Sequence, residues 1–161
     1  MSENALRGLL GALALAGFAI SAYLTYNHLN GTVPACVGGP GGCASVQASR
    51  YSEVLGVPVA LIGLFGYAAM LLAALVRDGR AAILGVFVAM TGTLFSLYLT
   101  YLELFVIRAI CQWCVASAAV VVAYLVVAIG RLRWTGTAAS GLAKGYSGPD
   151  DFHGRRRAEG R

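Results

Sequence analysis

The sequence predicts an all-α integral membrane protein, a bundle of four transmembrane helices, and three observations carry that expectation. Of the 161 residues, 58% are apolar and only 12% charged, with a mean hydropathy of +0.73, whereas a soluble domain carries about 25% charged residues. A helix needs about 20 apolar residues to cross a bilayer, and four stretches without an internal charge meet that need: 8–26, 57–76, 81–102 and 109–129. The cations are placed asymmetrically: every Lys and Arg except Arg50 and Arg108 falls on one side if both termini and the 77–80 connection share a face. The positive-inside rule makes that face cytoplasmic, so the net charge of +5 points to membrane topology and not to nucleic acid.

The elements follow in order. The first span, about 8–29, is longer than the roughly 7–15 residues of a signal-peptide core and closes on the polar pair Asn27-His28, so it reads as a spanning helix. The outer loop, 30–56, starts with a Gly- and Pro-rich stretch that excludes helix over 32–42. It then offers a short interfacial helix over 44–55, with Tyr51 as an anchor. Gly56-Val57-Pro58 opens the second span, 57–76, with Pro58 in the first turn, where a helix tolerates it. Arg77-Asp78-Gly79-Arg80 is a tight turn into the third span, 81–108. Glu103 lies about 33 Å along that helix at 1.5 Å per residue, near the outer interface. The fourth span is 109–130. Together these form one membrane domain, 1–133, followed by a basic tail, 134–161, whose Gly, Ser, Asp and Arg content without apolar periodicity predicts disorder. An internal echo links Ser21-Ala22-Tyr23-Leu24-Thr25-Tyr26 to Ser96-Leu97-Tyr98-Leu99-Thr100-Tyr101, and the same offset carries Cys36 onto Cys111.

All 4 cysteines fall on or near the outer, oxidising face under this topology. Cys36 and Cys43 flank a flexible Gly/Pro stretch that can bend to disulfide distance. Cys111 and Cys114 form a CxxC at the predicted first turn of the last helix, where free N–H groups and the helix dipole favour a thiolate, above all on Cys111. A CxxC closes too small a ring to be useful as a staple. Four thiolates satisfy a zinc site by count, but an oxidising face and the lack of a zinc-ribbon context argue against metal. Two pairs on one face suggest a relay in which an outer pair meets a protein and an inner pair meets something in the membrane. The residues after Cys114 are small and apolar apart from Ser117, which suits a flat lipid-soluble acceptor. There is no dinucleotide fingerprint, and the 2 histidines, His28 and His153, lie on opposite faces, which excludes a haem ligand pair. A quinone is the two-electron acceptor that matches a dithiol.

Linked motifs make the chain resemble the bacterial branch of the vitamin K epoxide reductase family over about 21–117: Cys36 and Cys43, Ser45-Val46, Ser49 and Tyr51, Gly56-Val57-Pro58 with Gly63 and Tyr67, Glu103, and Cys111-Gln112-Trp113-Cys114-Val115-Ala116-Ser117. The resemblance implies a four-helix bundle around a quinone, ubiquinone or menaquinone, capped by the cysteine loop, in a bacterial cytoplasmic membrane. It implies that electrons enter at Cys36/Cys43 from a thioredoxin-like disulfide carrier of the DsbA kind, pass to Cys111/Cys114, and leave from Cys114, in support of disulfide formation. Many bacterial relatives fuse such a carrier domain, and here a basic tail stands in its place, so the carrier is expected to be a separate protein. Which loop cysteine meets the carrier and which meets Cys111 stays open.

Two alternatives accompany this reading. One is reduction of vitamin K or a quinone epoxide; the animal enzymes use an asparagine near the start of the second helix and a tyrosine four residues past the CxxC, positions that read Pro58-Val59-Ala60-Leu61 and Ala118 here. The other is a non-catalytic assembly subunit with structural disulfides. Ser49 and Ser117 are the candidate quinone contacts. Glu103 is either a proton relay or a structural carboxylate paired with Arg50 or Arg108. Trp113 is read as part of the interfacial aromatic belt.

Overall fold

The computed structural model describes residues 2–36 and 41–145. Helix α1, Glu3–Leu29, starts where the Ser2 hydroxyl accepts the Ala5 N–H at 3.3 Å and Glu3 faces the positive helix end. It stops at Asn30, because Gly31 adopts φ +64° and returns its N–H to the His28 carbonyl.

The outer loop departs from the expected single helix over 44–55. Helix α2 is Gly41–Gln47, followed by one 3-10 turn at Arg50–Ser52 and a hairpin of β1, Glu53–Val54, with β2, Val57–Pro58. The Ser49 hydroxyl donates to the Val46 carbonyl at 2.7 Å and so offers the backbone an alternative to further helix. Register pairs Val54 with Val57, and the two turn residues, Leu55 and Gly56, both have positive φ (54° and 80°), the mirror-image turn that suits tight hairpins.

Helix α3, Val59–Leu75, begins directly after Pro58. Its last carbonyls are capped from another helix: Arg7 donates Nε to the Ala74 carbonyl at 3.2 Å and Nη2 to that of Leu75. Helix α4, Gly79–Tyr101, is started by the Asp78 carboxylate accepting the Arg80 N–H. Beyond Tyr101 the chain widens into a π-type turn, Leu102–Ile107, which ends where Arg108 enters the left-handed region at φ 54°. The last span opens later than position 109: helix α5 is Gln112–Gly145, with 108–110 as connection. Its helical backbone also runs through 134–145, a stretch expected to lack helix, since Ala and Leu there extend the hydrogen-bond ladder of the span before it. The remainder of the tail, 146–161, lies outside the described residues.

Helix α1 packs on α3 and α5, and α4 packs on the same two, so the four helices close a ring. The core holds Leu10, Ala14, Tyr67, Met70, Ala89, Val121 and Tyr124. Both tyrosines spend their hydroxyls internally, Tyr124 on the Met70 carbonyl at 2.9 Å and Tyr67 on that of Ser117 at 2.7 Å. Large apolar side chains also face outward, among them Leu15, Phe65, Leu72, Phe87 and Val126. A surface apolar inside and out belongs in lipid. Glu3–Leu29, Gly79–Ile107 and Gln112–Arg133 are long and apolar enough to cross a membrane, and α3 is a shorter apolar helix of 17 residues among them. The chain is a multi-pass membrane protein.

Gly17 is where α1 meets the Tyr67 ring, and a Cβ there would overlap it. Gly17→Ala is therefore expected to cost about 1–3 kcal/mol through overpacking, read as a lower unfolding midpoint in a denaturing-detergent titration.

Candidate functional site

Cys111 caps the start of α5, and its carbonyl accepts the Val115 N–H at 3.0 Å. Its own N–H donates to Glu103 Oε2 at 3.2 Å, and the π-type turn makes that possible by swinging the carboxylate inward beneath the connection. Glu103 is thus held by Cys111 at the cavity wall, while Arg108, one of its expected partners, is exposed at the turn. Cys111 is 0% exposed; Cys114, three residues on, is half-buried, and both are free thiols. Cys111 lies just outside the span, and its pKa is lowered to about 7 chiefly by the hydrogen bond from the Cys114 thiol. Backbone N–H groups of Cys114 and Trp113 assist, against burial and the Glu103 charge, which push the other way. A thiolate is the nucleophilic form, so the geometry prepares Cys111 for exchange.

The loop pair sits directly over this turn. Cys36 and Cys43 form a disulfide with Cα atoms 6.5 Å apart. Cys43 is 1% exposed on α2, and its neighbour Gly42 lies so close to the Ile110 carbonyl that a Cβ would overlap it. Only glycine permits that approach, which brings the chain at Cys43 beside the chain at Cys111. Cys36 is the more accessible of the loop pair.

The segment before Cys36 is clamped at one residue. Ala35 gives its N–H to the Tyr23 hydroxyl at 3.0 Å, and its carbonyl accepts Trp113 Nε1 at 2.8 Å and Gln112 Nε2 at 3.5 Å. The Tyr23 and Trp113 rings meet at 5.2 Å between centroids. Trp113 therefore does more than join an aromatic belt: with Gln112 it ties the CxxC to the cysteine loop. Composition and spacing gave no signal for this, except that Tyr23 stands in the echoed hexapeptide. Trp113→Phe keeps the ring and removes the donor. It is expected to slow exchange between loop and CxxC about tenfold, in line with a misplaced reacting group, as read by quench-and-alkylate gels.

Beneath Cys114 opens a cavity of about 470 Å³ between the four helices, with apolar walls such as Met70 and Val121 and a lid from α2, Tyr51 and the hairpin. Cys114, Glu103, Ser49, Ser117 and His28 all line it. Ser117 Oγ is 2.9 Å from the Tyr67 hydroxyl, and the Ser49 proton is committed to Val46, so each serine meets the cavity with its acceptor lone pairs. His28, excluded above only as a haem ligand, is joined to Glu53 at 3.1 Å.

Residues 9–129 match the sequence profile described as the vitamin K epoxide reductase family. The chain belongs to that family. Membership makes it an oxidoreductase embedded in a membrane, and covers all four cysteines and the whole cavity. A flat ring with an apolar tail fits the walls: the volume lies within the roughly 300–1,000 Å³ of small-molecule sites, and a few polar groups converge at one end. No cluster of three or more metal-ligating side chains occurs among the described residues.

Proposed function

We propose that this member of the vitamin K epoxide reductase family oxidises a thioredoxin-like thiol carrier and delivers the electrons to a membrane quinone. The observation that supports it most is the layering of the two cysteine pairs: Cys43 is buried against the turn that carries Cys111, while Cys114 opens on the apolar cavity.

The chemistry runs as two exchanges and one transfer. A carrier thiolate attacks Cys36, the more accessible sulfur, and the carrier leaves as a disulfide with Cys36 and Cys43 reduced. Cys43 then attacks Cys111 of the oxidised CxxC, which restores the Cys36–Cys43 disulfide and yields the Cys111/Cys114 dithiol. The arrangement of one loop disulfide with two free CxxC thiols is the state in which electrons stand at the cavity. A quinone, when bound, would supply the two-electron acceptor; Cys114 lines the cavity that would hold it, and Glu103 and the Gly42 contact hold the donor turn in place. The cysteines act on the outer face of a bacterial cytoplasmic membrane, with both termini inside.

The test is to give the purified protein a reduced thioredoxin-like substrate and a soluble quinone and to follow quinone absorbance. Loss of absorbance that requires the protein is expected, and none would sink the proposal. Offering a quinone epoxide in the same assay separates epoxide reduction from this reading.

A further inference from the structure

We propose that Glu53 and His28 form a proton relay from the outer aqueous face into the cavity, with His28 as the residue that protonates the reduced acceptor. The inference rests on the quinone reading above.

His28 stands in the last turn of α1 and contributes to the cavity wall. Its Nε2 is 3.1 Å from Glu53 Oε1, and the two side chains are 19% and 49% exposed. Glu53 lies on β1 between Ser52 and Val54, both of which line the cavity. Strand alternation turns Glu53 the other way, toward water. The pair therefore joins a wet carboxylate to an imidazole in the wall. With Nε2 engaged by Glu53, Nδ1 has no partner among the described residues, and an imidazole can take a proton at one nitrogen and release one at the other.

The reaction needs such a route. Forming one S–S bond from the Cys111/Cys114 dithiol releases two electrons and two protons, and converting a quinone to a quinol consumes two of each. Cys111 reacts as a thiolate whose proton has already left, so at least one proton must reach the acceptor by a path separate from the sulfurs. The other titratable groups on the wall come from every packed element: Tyr51 from the lid, Tyr67 from α3, Glu103 from the extension of α4, and Cys114 from α5. Tyr67 spends its hydroxyl on Ser117, and Glu103 is 4% exposed with its carboxylate on Cys111. Among the described residues, His28 is the wall group with a recorded hydrogen bond to an exposed carboxylate.

The full chain in lipid nanodiscs, pre-reduced, is mixed with a soluble ubiquinone analogue in a single turnover. His28→Gln keeps a hydrogen-bonding group and cannot ferry a proton. It is expected to slow quinone reduction about 100-fold, the range of a lost general acid. Quinone affinity, from quenching of tryptophan fluorescence, is expected to stay within about twofold, and reduction of Cys36–Cys43 by the carrier without quinone to be unchanged. Glu53→Gln is expected to slow the same step about tenfold. Quinone reduction by His28→Gln within about threefold of the parent overturns the relay. So does a loss of rate matched by an equal loss of affinity, which would make the pair a latch on the lid. A parent chain that reduces no quinone is a different failure: it removes the acceptor reading on which the relay stands.

Discussion

Cys114→Ala is expected to abolish quinone reduction, by about 10³-fold or more, and to leave the chain trapped with a disulfide between Cys43 and Cys111. A free Cys111 stands beside a closed Cys36–Cys43 pair. In the intact protein a Cys43–Cys111 disulfide has two exits: Cys36 expels Cys111 from it in the forward direction, and Cys114 expels Cys43 in the reverse. Without Cys114 the second exit is closed and no CxxC disulfide can form, so Cys111 can pair only with the loop, and the linkage persists in exchange with the Cys36 thiol that its formation frees. Peptide mapping under non-reducing conditions reads the linkage directly, and a Cys36–Cys111 linkage in its place would reverse the order assigned to the loop cysteines. The same variant carries a pH signature. The Cys114 thiol is the largest influence holding the Cys111 pKa at about 7; its removal moves that pKa upward, so trapping is expected to be slow at pH 6 and to speed up through pH 8, as the thiolate fraction rises.

The membrane class and the redox pairs were legible in the sequence because they rest on composition and short spacing. Apolar runs of spanning length set the helices, and Cys111-Gln112-Trp113-Cys114 needs only three residues of chain to be recognised. What escaped depends on contacts between distant segments. The Tyr23–Ala35–Trp113 clamp joins three separate parts of the chain through one backbone carbonyl and one N–H, which no residue type announces. The hairpin at 53–58 falls where the sequence predicts the end of a short helix over 44–55 and the opening of the second span; Leu55-Gly56 at positive φ decides otherwise, and leucine gives no warning of that conformation. From the sequence Arg7 is one more cation on the side of the termini, and its use as a cap for the last carbonyls of α3 follows from packing alone. The fourth helix starts at Gln112 and not at 109 because, after the widened turn of Leu102–Ile107, Arg108 enters the left-handed region and 108–110 form a connection.

That widened turn leads to the second large effect, at Glu103. Its carboxylate is 4% exposed and accepts the N–H of Cys111, so Glu103→Ala leaves a buried donor without a partner, at a cost of about 1–3 kcal/mol. More important for turnover, the N–H bond fixes the connection 108–111 against the wall, and its loss frees Cys111 relative to both Cys43 above and Cys114 below. A displacement of about 1 Å in a reacting group costs on the order of 10²-fold, and a fall of that size in quinone reduction is expected for Glu103→Ala. Glu103→Gln separates the two roles open to the residue. Its amide oxygen still accepts from Cys111, so a positioning role predicts turnover within about threefold of the parent, whereas a proton-carrying role predicts a loss as deep as that of alanine. The Glu103 charge also acts against the Cys111 thiolate. Removing it in Glu103→Gln is therefore expected to shift the pH profile of Cys111 alkylation to lower pH, while Glu103→Ala, which loses the anchoring bond as well, broadens the profile. Rates of alkylation across pH 5–9 on the reduced protein measure both, and an unshifted glutamine profile would show that the carboxylate bears no charge toward Cys111.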